Sequence, residues 1–340
     1  MRRIIKVKYH LLVLIIEITT LLIVFFLAYN FISMPSKKTT FYLEDSNIST
    51  LLKTLDKRGY PTYAIDKYVL KYMTLPEKGW YSLEARKEGR FQFFKSLHTK
   101  KTKTMHIKIY AGETALELTQ RLANDMKLNA KKLLNTYEAK STYKEADIFS
   151  GQYILARNAD ENTSIDYLFT QSHKILNHFI QTKYHKKPTL IEIKVLFIIA
   201  SIIQKESNSI EEMPLISSVI YNRLYKNMKL QMDGTLNYGK FAHSIVTPER
   251  IKNDNSAYNT YKHKGIPPAP LGTVSIEALE AAYHPARSKY LFFMLKKDGS
   301  HHFAQTYEEH LKNIRAFKST TKDNNQTKKT KQVKKIKPSV

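Results

Sequence analysis

Cysteine is absent from the 340 residues, which excludes disulfides and thiol catalysis and leaves the compartment open. The chain has 12 histidines, but none stands in an HExxH-type spacing, so no metal is expected, and nothing in the motifs calls for a cofactor. Acidic residues are scarce, 30 against 55 Lys and Arg, and the formal charge is +25. Such a charge seeks an anionic partner, which is nucleic acid in some proteins and a membrane or cell wall in others. Neither a zinc-finger nor an RNP-like motif is present, so nucleic acid is not the expected partner. The charge is also uneven. Arg2, Arg3, Lys6 and Lys8 contribute four, and residues 318–340, with eight lysines against Asp323, contribute seven, leaving +14 for residues 9–317.

Residues 1–10 form a basic N-terminus, and the next stretch is the opposite in character. Leu11 to Ile32, LLVLIIEITTLLIVFFLAYNFI, exceeds the ~20 apolar residues that cross a bilayer, so residues 11–33 read as one transmembrane helix. Ser33-Met34-Pro35-Ser36-Lys37-Lys38 is a poor cleavage site and the apolar core is long for a signal peptide, so the helix is expected to stay as an anchor. The preceding basic cluster predicts a cytoplasmic N-terminus, a cytoplasmic (inner) membrane location and a chain that continues on the periplasmic or extracytoplasmic side. Glu17 within the span costs about 3 kcal/mol if central and reads as a tolerated acid or a contact with another membrane helix.

From Phe41 onward the signals are those of a small α+β region, 41–140. Phe41 to Leu43 predicts a strand, and Ile48, Leu51, Leu52 and Leu55 a helix that Gly59 ends. A comparable unit follows, with a strand at Met105–Tyr110, a turn at Ala111-Gly112 and helical spacing at Leu116, Leu118 and Leu122. This resembles a weak internal repeat and fits a plain mixed domain equally well. Residues 141–317 read as a helix-rich mixed domain. Thr142–Asn162 has no clear periodicity, and Ser164–Tyr184 is helical. Pro214 opens a helix to about Lys226, Ser275–Tyr283 is another, and YLFFML at Tyr290–Leu295 followed by Asp298-Gly299 predicts a β-hairpin. Residues 318–340, almost without apolar side chains, are expected to be a disordered basic tail.

The stretch Pro188–Ser207, PTLIEIKVLFIIASIIQKES, carries the chemistry. Thr189 and Glu192 form a capping box, and from Val195 to Ile203 only Ser201 is polar, so this helix is expected to be buried nearly all round. Glu206 follows Ile203, Ile202 and Ile199 at helical spacing. Desolvation there favours the neutral carboxyl, the condition for a general acid near neutral pH. An acid in a last helical turn that merely reaches solvent or pairs with a lysine fits the same spacing.

The order ASIIQKES, SSVIYNRLYKNMKLQMDGTLNYG, YNTYKHKGIPPAP, HPARSKYLFFM and HHFAQTYEEH resembles the YceG-like (MltG) endolytic murein transglycosylases. The resemblance implies one N-terminal anchor, LysM-like modules, with GWYSL at Gly79 as a family landmark, and then the catalytic domain. It also implies cleavage of the MurNAc-β-1,4-GlcNAc bond inside nascent glycan strands, leaving 1,6-anhydro-MurNAc ends. Peptidoglycan synthases are a further implied partner. The family's EKE motif reads Gln204-Lys205-Glu206 here, and its second glutamate is the catalytic acid, hence Glu206. Gln231, Asp233, Tyr258, Asn259, Tyr261 and His301 are the expected substrate-binding residues. For each, a bland role competes: turn capping for Gln231 and Asp233, loop anchoring for Tyr258, Asn259 and Tyr261, and holding the hairpin for His301 and His310. The chain departs from the family in reading Asp233-Gly234-Thr235 for DPT, Ala269 for a glycine, and a barely recognisable EGxLFPDTY motif at Ser150–Leu155. Two other readings stand beside this one: a water-using muramidase with Glu206 and Asp233 as its pair, and a non-catalytic wall-binding scaffold.

Overall fold

The computed structural model describes residues 2–317, so the basic tail at 318–340 lies outside the described residues. In chain order the helices and strands are α1 (Arg2–Phe31), β1 (Thr39–Leu43), α2 (Ile48–Lys57), α3 (Ala64–Leu70), β2 (Gly79–Leu83), α4 (Arg90–Leu97), β3 (Thr104–Ile109), α5 (Ala115–Met126), α6 (Ala130–Lys140), β4 (Gly151–Ala156), α7 (Glu161–Lys183), α8 (Leu190–Glu206), α9 (Met213–Tyr225), α10 (Pro248–Asn253), α11 (Ile276–Tyr283), β5 (Phe292–Leu295) and β6 (His301–Ala304). The architecture is thus α+β, with small two-stranded sheets among many helices. Two compact units divide it, one of Met1–Ile107 with Ile154–Tyr167 and one of Lys108–Tyr153 with Leu168–Val340.

In the first unit α1 contains an apolar stretch, Lys6–Phe31, long enough to cross a membrane, with none of its apolar window buried. β1 and β2 pair antiparallel, Thr39 opposite Leu83, and both strands alternate so that Phe41, Leu43, Tyr81 and Leu83 face inward. Leu51 and Leu55 of α2, Leu70 of α3 and Phe93, Phe94 and Leu97 of α4 complete that core. α3, β2 and α4 are additions to the sequence reading. α3 is only seven residues long, too short for a periodic signal, and it is nucleated by the Asp66 carboxylate accepting from the Tyr63 N–H at 2.7 Å. The order strand, helix, helix, strand with paired strands then recurs as β3–α5–α6–β4. β4 is the strand hidden in the aperiodic 142–162 stretch; Tyr153, Leu155 and Ala156 are its buried residues.

The second unit is organised by α8, which packs on α9 and α11. Its capping box forms as expected, the Thr189 side chain accepting from Glu192 N and the Glu192 carboxylate from Thr189 N. Every residue from Leu196 to Ile203 is buried. The one polar side chain among them is satisfied twice, Ser201 donating to Ile198 O at 2.7 Å and accepting from Leu271 N at 3.0 Å, which is how a hydroxyl is tolerated at that depth. Gln204 accepts from Ser275 N at 3.2 Å beside the start of α11. The β5–β6 hairpin pairs antiparallel, Leu295 opposite His301.

Candidate active site

α8 delivers Glu206 as its last residue, with Ser207 N–H closing the helix on Ile203 O at 2.9 Å. The segment after α9 comes back across this end. Its course is set by buried Thr260, whose carbonyl accepts from Gln231 N at 3.1 Å and whose hydroxyl accepts from Met232 N at 3.1 Å and lies 2.9 Å from the Thr235 hydroxyl. That tie forces a single 3₁₀ turn, Asp233–Thr235, which aims the Gly234 N–H at Glu206 Oε1, 2.7 Å away. The approach is so close that a Cβ on residue 234 would lie 2.7 Å from Lys205 Cβ and 2.8 Å from Glu206 Oε1.

A cleft of about 400 Å³ opens over the carboxyl. Glu206, Arg223, Gln231, Asp233, Tyr261 and His301 line it, together with Phe293–Leu295 of the hairpin. Burial pushes the Glu206 carboxyl up to about 7 and the Asp233 charge adds to the effect, while the Gly234 N–H and the Arg223 charge oppose both. As a whole residue Glu206 is only partly buried, so the acid is desolvated and still reachable from the cleft. Asp233 Oδ1 accepts from the Tyr261 hydroxyl at 2.6 Å, and burial and that carboxylate hold the phenol above its ordinary value.

Of the binding residues expected from sequence, Gln231, Asp233, Tyr261 and His301 thus gather around Glu206. Tyr258 and Asn259 lie outside the lining of this cleft. Asn259 is buried and fully used by its own loop, its amide donating to Ile251 O at 2.9 Å and Asp254 O at 2.7 Å and its oxygen accepting from Tyr261 N at 3.1 Å. Tyr258 stacks on Tyr238 at 4.5 Å. His301 lines the cleft and is clamped by Glu212, which accepts from His301 N at 2.6 Å and pairs with Nδ1 at 2.8 Å.

Sequence reasoning missed Glu212 and Arg223. Arg223 is buried with its guanidinium donating to the carbonyls of Leu291 at 2.6 Å and Leu230 at 2.5 Å, and burial lowers its proton affinity. The signal was present: an arginine three residues after Ile220 and four after Val219, on the core stripe of α9, is out of place unless its charge is wanted there.

Gly234→Ala is expected to keep the fold at a cost of about 1–3 kcal/mol, the usual range for overpacking, and to slow turnover, because either Lys205 or Glu206 must move. If the amide contact is lost, the carboxylate loses a donor and the carboxyl becomes still harder to ionise. Thermal unfolding and a pH–rate profile of the variant check both effects.

A buried carboxyl pushed up to about 7, in a cleft that Asp233 and Arg223 also line, is chemically able to give and take a proton near neutral pH. The chain belongs to the YceG-like family, whose model matches residues 43–316. It is 34% identical over 154 residues to the endolytic murein transglycosylase of Bacillus subtilis, covering 45% of this chain and 43% of that one. With the endolytic murein transglycosylase of Streptococcus pneumoniae it shares 30% identity over 176 residues, half of this chain and 31% of that one. The matches therefore span less than half the length of these relatives. A crystal structure of a yceG-like protein from Listeria monocytogenes superposes with a TM-score of 0.52 at 25% identity, covering 81% of this chain and 99% of that one.

Proposed function

We propose that the chain is a membrane-anchored endolytic lytic transglycosylase that cuts the MurNAc-β-1,4-GlcNAc bond within peptidoglycan strands, with Glu206 as its one acid–base group. The observation that carries the reading is the Glu206 carboxyl held at about 7 in an open cleft. Protonated Glu206 gives its proton to the glycosidic oxygen as the bond from that oxygen to muramyl C1 breaks. The muramyl C6 hydroxyl then closes on C1 and surrenders its proton to the Glu206 carboxylate, which restores the acid and leaves a 1,6-anhydro end. No water is consumed. During the interval when Glu206 is ionised, the Gly234 N–H and the Arg223 charge stabilise it. Gln231, Asp233, Tyr261 and His301 supply polar groups for sugar hydroxyls and the acetamido group. A neighbouring cleft of about 710 Å³ shares Lys205 and Asn237 with the first and gives a long strand room to continue, as an internal cut requires.

The repeated strand–helix–helix–strand order supports LysM-like wall-binding modules ahead of the catalytic domain, extending the region read at 41–140 to Ala156, where β4 ends. Under this proposal α1 spans the cytoplasmic membrane with its N-terminus inside, the rest of the chain faces the wall, and peptidoglycan synthases are natural neighbours.

Mass spectrometry of glycan strands treated with the purified chain tests the reaction. Anhydro ends, lighter by one water than reducing ends, are the expected products. Reducing ends would instead favour the muramidase reading, for which Asp233 in the same cleft is the supporting observation. The donor is the protonated carboxyl, so kcat/KM is expected to hold below about 7 and to fall about tenfold per pH unit above it. A rate that keeps rising through pH 8 would contradict Glu206 as the acid.

A further inference from the structure

α1 does not end in a free linker. Its last turns, and Met34 three residues beyond them, are built into the first unit. Phe26 meets the Phe91 ring edge-on at 5.1 Å. The Tyr29 hydroxyl donates to Asp66 Oδ1 at 2.8 Å, and Asn30 Oδ1 accepts from Phe91 N at 3.1 Å at the start of α4. Met34 N donates to Glu88 O at 3.1 Å, while its sulfur lies 3.7 Å from the Arg90 guanidinium. Tyr29 and Met34 are buried in this junction, 6% and 2% exposed, whereas the apolar window of the span has no burial at all.

The height of the junction follows from helix geometry. The apolar segment Lys6–Phe31 has 26 residues. At ~1.5 Å per residue it is ~39 Å long, against ~30 Å of hydrocarbon, so its ends reach into the headgroup layers. Phe26 lies five residues, or ~8 Å, inside the outer end. A side chain that touches Phe26 is therefore at the edge of the hydrocarbon, and the segment 84–91 that carries Phe91 lies at headgroup depth. The exposed charges flanking the junction are Lys37 and Lys38 just past Met34 and Arg86 and Lys87 just before Glu88, with Glu84 the one exposed acid in these two stretches.

We propose that the first unit sits on the bilayer around its own anchor, with Lys37, Lys38, Arg86 and Lys87 forming a basic collar that binds the anionic phospholipid headgroups at the exit of α1. The proposal rests on α1 spanning the membrane and goes beyond the glycan chemistry. Electrostatic attraction of this kind weakens with salt and vanishes on a zwitterionic surface. Interfacial seating also leaves the unit no freedom to lift off, since Tyr29, Asn30 and Met34 hold it.

The absence of cysteine makes the test clean, because one introduced cysteine carries one label. Lys87→Cys and Ser46→Cys, the latter past the far end of β1, are spin-labelled in the full chain. The chain is reconstituted in phosphatidylcholine vesicles with and without one third phosphatidylglycerol, and collisions with membrane-dissolved oxygen and a neutral water-soluble nickel chelate are compared. The label at 87 is expected to favour oxygen severalfold over the label at 46, more so with phosphatidylglycerol, and to lose the lipid-dependent part at high salt or in a Lys37→Glu/Lys38→Glu background. Equal water exposure at both positions, in chain that resists carbonate extraction, would overturn the collar alone. Release by carbonate would overturn the anchor and the collar together, without touching the glycan product assay.

Discussion

Glu206→Gln is expected to leave a folded chain that no longer releases anhydro-ended glycan, with a loss of about 10²–10⁴-fold, the worth of a positioned general acid–base group. The amide keeps the shape, and its oxygen still accepts from Gly234 N–H, so the closely packed meeting of α8 with the 3₁₀ turn is preserved. What it cannot do is give or take the proton. Stability distinguishes this from simple damage. The folded-state value of about 7 lies above the ordinary 4.5, so the fold favours the neutral carboxyl. That contribution is fully present below 4.5 and is lost as pH rises through about 7. The amide loses nothing over that range, so the variant should be at least as stable as the parent above about 7, with the two converging in acid. Cleavage at the parental rate would remove Glu206 from the mechanism. Lost cleavage with lost stability at every pH would make its role structural.

The helical setting of Glu206 was legible in the sequence because its determinants along α8 are local. The capping box, the run of apolar residues and the position of Glu206 one turn after Ile203 all lie within a single helix, and the structure repeats them residue for residue. The partners that tune it are not local. Gly234 reaches Glu206 across 28 positions and Glu212 reaches His301 across 89, and neither distance leaves a periodic trace. Asn259 shows the converse difficulty. Its residue type suits sugar recognition, but whether an amide is available depends on where nearby carbonyls lie, and here Ile251 and Asp254 use it. Short elements were lost for a related reason: β2 and β4, of five and six residues, are too brief to outweigh their flanking loops.

The second large effect belongs to a pair that no periodicity announces. Asp66 and Arg90 are both wholly buried, joined by Arg90 Nε to Oδ1 at 2.6 Å and a second guanidinium nitrogen to Oδ2 at 2.5 Å, with Pro61 O and the Tyr29 hydroxyl completing the set. Asp66→Ala would strand a guanidinium in the core of the first unit, which costs about 3–5 kcal/mol. The double variant Asp66→Leu/Arg90→Met removes both charges at similar volume and should recover most of that loss, since a buried ion pair and a well-packed apolar pair are often close in energy. Trp80, the chain's one tryptophan, reports on this unit directly. It is 3% exposed on β2, its indole N–H donates to Ile154 O at 2.6 Å and its ring lies 5.3 Å from Tyr42. Urea unfolding of the full chain in detergent, followed by Trp80 fluorescence, should therefore show the midpoint fall steeply for Asp66→Ala and return towards the parent in the double variant, with the slope unchanged. A single-variant loss below about 1 kcal/mol would mean that the guanidinium finds water or other acceptors and that the pair does not hold the C-terminal end of α1 in place.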